Sequence, residues 1–267
     1  MMSINQHQRA KLAWEVLIRV AKREDFIRYK ELGDRIAIHH RAVRFVLAII
    51  QDYCTESKLP PLTILVGNKL GVPGKGFTAW DSRNYEDGKN KVYNHNWDEE
   101  TNPFLFAVNG TNEQELIQSL ITNPKNSDDV YRKIKSRGYS QIIFRKALLI
   151  AYKSKCAFCN TSLNSILQAA HIIPWNSSND KQKLDVRNGL LLCANHHYLF
   201  DNGILFVDEL FRIQINKKVS IKTDSDRIIV STLCNTLLKL PKDRTLYPNI
   251  EYLKFRNKKS NNVSYKK

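Results

Sequence analysis

Apolar residues recur at helical spacing near the start of the chain, where Trp14, Leu17, Ile18 and Ala21 share one face. A second apolar run holds Val43, Phe45, Val46, Leu47, Ile49 and Ile50. Across the string between them, Leu32, Ile36, Ile38, Val43 and Leu47 have the spacing of a helix, a tight turn and a second helix on one core, the grammar of a helix-turn-helix. The outer positions left over are Arg35, His39, His40, Arg41 and Arg44, so the second helix would present positive charge and hydrogen-bond donors. Two strand-like runs follow, KLPPLTILVGNK and GVPGKGFTAW, with Gly and Pro between them as a wing hairpin would have.

From Asp81 to about Asp129 the pattern fades into polar, Asn-rich sequence with one short helix expected around Glu113 to Leu120, and residues 81–136 read as a linker or peripheral subdomain. His95 has no evident partner there and reads as a surface residue. Helical periodicity returns over Tyr139 to Lys153, with Ile142, Ile143, Leu148, Leu149 and Tyr152 as apolar positions. A short apolar run then ends at His171 before Pro174, which predicts a strand entering a turn. Further on, Val219, Ile221, Ile228, Ile229, Leu237 and Leu240 imply folded structure to about Leu240, and NKKSNNVSYKK is expected to fray.

At 267 residues the chain has room for about two domains. Its hydrophobic share of 42% and charged share of 25% exclude wholesale disorder and fibrous repeats. The formal charge of +16 favours a polyanionic partner, with nucleic acid first and an anionic membrane surface second. Residues 211–267 alone hold 14 Lys and Arg against 4 Asp and Glu, so this extension reads as phosphate contact, or else as a solvated tail. No apolar run approaches the ~20 residues that span a bilayer, and MMSINQHQRAKLAW offers no signal segment. A soluble cytoplasmic protein is expected. In a reducing compartment five cysteines do not make a disulfide framework, so their spacing is read as metal or core chemistry.

Cys156-Ala-Phe-Cys159 is a CxxC pair and Cys193-Ala-Asn-His196 a CxxH pair. Together they supply the four ligands of a tetrahedral structural zinc. A redox dithiol, or four unrelated core residues, are the alternatives. Cys54 and Cys234 default to buried small hydrophobes. Between the knuckles lies AAHIIPW with His171, then Asn188, then His196 and His197. Taken singly, His171 would be a core histidine, Asn188 an ordinary turn residue before Gly189, and Trp175 and Phe200 packing residues, Trp175 bordering a cleft.

Two resemblances gather these features. The stretch from Tyr29 to Phe77 resembles the winged-helix domain of the DNA alkyltransferases and alkyltransferase-like proteins, through Arg41-Ala42-Val43 and the LPPLTILV segment. That likeness implies minor-groove binding, with Arg41 propping the duplex open. Gly67 and Asn68 stand where those proteins place their reactive cysteine and adjoining histidine, so alkyl transfer is not implied. Residues 140–206 resemble an HNH nuclease of the ββα-metal fold, in the branch found in restriction-type endonucleases. The upstream GYSQIIFRKALLIAY also matches that branch.

The second resemblance implies that His171 is the general base, that Asn188 braces the loop and orients it, and that His197 ligates a catalytic magnesium or manganese ion. Cys156, Cys159, Cys193 and His196 fall on its structural zinc positions. Ala170 departs from the commonest pattern, in which a second metal ligand precedes the base, and Asp201 is a weakly supported substitute. The expected architecture is α+β: a winged-helix DNA-recognition domain at 1–80, the linker at 81–136 and an HNH domain with a basic extension at 137–267. The expected function is a DNA endonuclease that acts on duplex DNA by a one-metal HNH mechanism, a restriction or defence enzyme extending to modification dependence, with a homodimer if both strands are cut and no such partner if it nicks. The alternative is a catalytically inactive winged-helix and zinc DNA-binding regulator, with Ala170 as its best evidence.

Overall fold

Asn5 opens the first helix, α1 (Gln6–Ala21): its side-chain oxygen accepts the backbone N–H groups of His7 and Gln8, donors that a helix start leaves unpaired. The computed structural model describes residues 5–134 and 136–262. A two-residue strand β1 (Ile27–Arg28) leads into α2 (Tyr29–Arg35) and, after a turn, α3 (Val43–Glu56). The turn is tight because a Cβ on Gly33 would stand 2.7 Å from the Ile38 carbonyl oxygen. Leu32, Ile36 and Val43 are buried as the apolar spacing implied, Ile38 and Leu47 are half-buried, and Val46 and Ile50 are buried beside them, so the helix, turn and helix are present.

The expected wing hairpin is not. Residues Leu62–Leu65 coil into a 3-10 turn with all four side chains buried, which consumes the apolar run as core instead of as an alternating strand. Only β2 (Val66–Gly67) is extended, and it pairs parallel with β1. The Asn68 side chain then accepts the N–H groups of Leu70 and Val72 around Gly71, which sits at φ +71°, folding the chain back without a strand. The segment 72–80 contains no strand.

The described residues divide into two compact units, Met1–Glu115 with Lys133–Ile142, and Leu116–Arg132 with Ile143–Lys267. The division expected at 80 and 136 therefore shifts. Beyond α4 (Tyr85–Tyr93), Trp97 and Phe104 pack edge-on against Trp14 at 5.8 and 6.0 Å, and Phe106 stacks on Tyr139 at 4.8 Å. Those aromatics make 81–115 part of the first unit's core and not a linker. His95 is likewise partnered, by Glu100 at 3.2 Å and the Trp97 ring at 4.5 Å.

Helices α5 (Glu113–Thr122), α6 (Ser127–Ile134) and α7 (Arg137–Ala151) carry the chain onward. In the second unit, β3 (Leu167–His171), the single-turn helix α8 (Asp180–Lys183), β4 (Gly189–Cys193) and α9 (Ala194–Asp201) follow in order. β3 and β4 are antiparallel, registered from Leu167↔Cys193 to His171↔Gly189. Glycine at 189 lets the strand lie close to α7, since a Cβ there would meet Phe144 Cζ at 2.6 Å and Leu148 Cδ1 at 2.7 Å and force those side chains to shift. A hairpin of β5 (Leu205–Val207) and β6 (Ile213–Ile215) precedes α10 (Asp224–Ser231).

The last element, α11 (Ile250–Asn262), corrects the expectation of fraying as far as residue 262; residues 263–267 lie outside those described. The architecture is α+β, helices with three small sheets among the described residues. Cys54 is buried as expected, whereas Cys234 is exposed. No helix of the described residues is long and apolar enough to cross a membrane.

Candidate active site and metal centre

The connection from β3 to β4 is held from inside by one side chain. Asn188 is fully buried. Its Oδ1 accepts the Ile173 N–H at 2.8 Å, and its Nδ2 donates to the carbonyls of Gln182 (2.9 Å) and Ile173 (3.3 Å) and to Ser178 Oγ (3.3 Å). All four lie in the connection itself, so one carboxamide closes it.

His171 ends β3 directly before that connection. Its ring stacks on Phe144 at 4.2 Å and meets the Trp175 ring edge-on at 5.7 Å. Nε2 lies 3.0 Å from the Lys183 carbonyl, an acceptor only, so Nε2 carries the proton and the Nδ1 lone pair remains. Among the described residues nothing donates to Nδ1. Burial pushes the imidazole down to about 4, against the opposing pull of the Lys183 carbonyl and Asp201, with His197 adding to the fall. His171 is therefore neutral at pH 7, the form in which an imidazole accepts a proton.

Helix α9 delivers two adjacent histidines to different sides, as neighbouring helical positions must. His197 Nδ1 contacts the Gln168 side-chain oxygen, and its Nε2 lies 3.1 Å from Asp201 Oδ2, one helical turn on. The Asp201 carboxyl sits below the usual carboxylate range: burial acts to raise it, but the His197 hydrogen bond and the nearby Arg256 and His171 outweigh this. Gln168 lies on the same face of β3 as Ala170, two residues away, and it rather than position 170 meets His197.

His196 faces the cysteine knuckles. The ligand atoms of Cys156, Cys159, Cys193 and His196 lie within 4.8 Å of one another. Cys159 Sγ is 3.9 Å from Cys193 Sγ, and His196 Nδ1 is 3.5 and 3.2 Å from the sulfurs of Cys156 and Cys193. Tetrahedral zinc with bonds of about 2.3 Å to sulfur and 2.0 Å to nitrogen needs ligand separations of about 3.5–3.8 Å. The separations of 3.2, 3.5 and 3.9 Å straddle that range with all four ligand atoms within 4.8 Å, and three thiols with an imidazole are a donor set that could hold zinc.

Of the residues expected to contact DNA, all five are exposed except at their own local contacts. Arg35 pairs with Glu31 at 2.6 Å, His39 and His40 stack at 4.1 Å with His39 Nδ1 accepting the Arg41 N–H, and the Arg44 guanidinium lies 4.7 Å over the Phe45 ring. The structure brings His39, His40 and Arg41 together in the turn before α3, with Arg44 at its first turn and Arg35 apart at the end of α2. A Cβ on Gly67 would stand 2.6 Å from the Gly71 carbonyl carbon, so no cysteine fits there and alkyl transfer at this position is excluded. Beside α3 a cavity of about 340 Å³ is lined by Tyr29, Arg44, Gln51, Thr63 and Phe77, and the buried Thr63 hydroxyl has no hydrogen-bond partner.

The strand that ends at His171, the braced connection, the second strand and the helix carrying His197 all lie in one segment that can be compared with known families. Residues 156–208 match the HNH endonuclease family. The chain thus carries an HNH endonuclease domain, and the match takes in the Cys3His cluster, His171, Asn188, His197 and Asp201. No curated protein matches the chain. Missed in the sequence were Gln168, the Lys183 carbonyl and Arg256, whose roles depend on pairing that no local motif encodes.

Proposed function

We propose that this protein is a DNA endonuclease that hydrolyses phosphodiester bonds, with His171 as general base. The observation that carries the reading is a neutral imidazole held by its Nε2–H on the Lys183 carbonyl, leaving Nδ1 to take a proton from water, inside a segment matching HNH endonucleases. His197 and Asp201 converge a nitrogen and a carboxylate oxygen at 3.1 Å, a donor pair that suits a divalent cation completed by water and phosphate oxygens. Magnesium or manganese held there would supply Lewis-acid stabilisation of charge on the scissile phosphate and the leaving 3′ oxygen. Asn188 moves no proton; it fixes the connection whose carbonyl at Lys183 orients the base.

Zinc in the knuckles would be structural, fixing strands and a helix too short to hold their geometry by apolar burial alone. The first unit would bind duplex DNA through the turn and helix bearing His39, His40, Arg41 and Arg44. A restriction or defence role is the setting that suits sequence-directed cleavage, and the cavity at Tyr29 and Phe77 suits inspection of a modified base. One nuclease site per chain would require a homodimer for double-strand cleavage, and a cytoplasmic location would supply the substrate. Against an inactive DNA-binding regulator, Asp201 supplies the carboxylate that Ala170 lacks.

The test is incubation of the purified chain with supercoiled plasmid, unmodified and base-modified, and magnesium or manganese. Nicked or linear product is expected, and none with His171→Ala. Plasmid left intact under all conditions while duplex binding persists would return the regulator.

A further inference from the structure

The C-terminal helix lies beyond the segment matching the endonuclease family, yet one of its side chains reaches the site. Arg256 is 8% exposed. Its Nη1 donates to the carbonyls of His171 (3.2 Å) and Ile172 (3.1 Å), and its Nη2 to the carbonyl of Phe200. Nη2 also lies 3.6 Å from Asp201 Oδ1, and the guanidinium covers the Phe200 ring at 3.8 Å.

Those acceptors belong to the two elements that bear the candidate chemistry. One pair is the end of β3, where His171 sits. The other partner is the C-terminal turn of α9, where the Phe200 carbonyl, which also accepts the Gly203 N–H at 3.0 Å, lies at the helix's negative end that favours a cation. A planar donor fork can serve both at once, whereas an ammonium is a point charge without that geometry. Helix α11 is itself anchored: Tyr252 donates to the buried Asp185 at 3.0 Å, and Asn257 Nδ2 donates to the Val207 carbonyl at 2.9 Å. The guanidinium is thus delivered from a fixed base and not from a loose basic tail.

We infer that Arg256 is a positioning residue for the proposed hydrolysis, setting His171 on β3 against His197 and Asp201 on α9. The inference rests on the nuclease reading above. It also divides the basic C-terminal extension: Arg256 faces inward and orders the site, and its role is not phosphate contact.

The experiment uses the full chain as wild type, His171→Ala, Arg256→Lys and Arg256→Ala, each measured for zinc content, duplex affinity and single-turnover cleavage at saturating enzyme. Misplacing reacting groups by about 1 Å costs about 100-fold in rate. Arg256→Lys is expected to keep zinc and duplex affinity while the single-turnover rate falls by about that factor. Arg256→Ala is expected to regain rate when methylguanidinium is added below denaturing concentration, a rescue that a mere scaffold role would not give. The inference is overturned if a zinc-retaining Arg256 variant cleaves at the wild-type rate, if duplex affinity falls in step with rate, or if every Arg256 variant loses zinc and fold. Wild type that cuts no DNA overturns the nuclease reading itself, and this inference with it; wild type that cuts beside equally active Arg256 variants overturns the inference alone.

Discussion

Replacing Asn188 with Ala tests the brace and the site together. The truncation removes the acceptor of the Ile173 N–H and the donor to the Gln182 carbonyl, bonds of 2.8 and 2.9 Å made by a fully buried carboxamide. A buried polar group left unpaired costs about 1–3 kcal/mol. Ile173 is buried and takes the full penalty, while the half-buried Gln182 carbonyl recovers part of its loss from water, which puts the total at about 3 kcal/mol. At roughly 2–4 °C per kcal/mol for a chain of this size, the melting temperature of the second unit should fall by about 6–12 °C. Asn188→Asp should lose as much, because it keeps the acceptor but turns a carboxylate oxygen toward two carbonyls. Calorimetry of wild type and both variants reads this directly. Cleavage measured where the variants remain folded should drop as well, since Gln182 adjoins Lys183, whose carbonyl holds His171. Unchanged melting in either variant would refute the brace, and full cleavage in a destabilised variant would refute its link to the base.

Three further outcomes are expected. Cys156→Ser should remove zinc and unfold the nuclease unit, read by elemental analysis and circular dichroism; an unchanged metal content would sink the zinc assignment. Gly189→Ala should destabilise by about 1–3 kcal/mol through overpacking against Phe144 and Leu148, and a melt equal to wild type would contradict the close approach. Acid should weaken folding through His171: with a native value of about 4 against an ordinary 6.5, the unfolded chain takes up a proton that the native state refuses. Stability is then complete above pH 6.5 and lost as pH falls toward 4, by up to about 3 kcal/mol. The stability of wild type minus that of His171→Phe should fall from pH 7 to pH 5, and a constant difference would refute the depressed value.

The Cys3His cluster and the order of His171, Asn188 and His197 were legible because these candidate residues lie at fixed spacing on one short stretch. The helix, turn and helix were legible because their apolar positions repeat with the helical period. The wing was misread since LTIL is a short run with one threonine among three aliphatic residues, and such a run serves a buried 3-10 turn as readily as a strand. Trp97, Phe104 and Phe106 sit singly among polar residues without periodicity, so nothing local marked 81–115 as core. Arg256 was hidden among the many basic residues of a polar helix; its inward place depends on the end of β3, 85 residues away at His171, and on α9, 56 residues away at Phe200.

The most direct test of the central claim is the chemistry of DNA ends. End-labelling after incubation with magnesium or manganese should show new 3′-hydroxyl and 5′-phosphate termini with the wild-type chain, and none with His171→Ala although that variant still binds duplex. Termini produced equally by His171→Ala would remove the histidine from the base role, and a wild-type chain that binds duplex yet yields no termini would contradict the nuclease account.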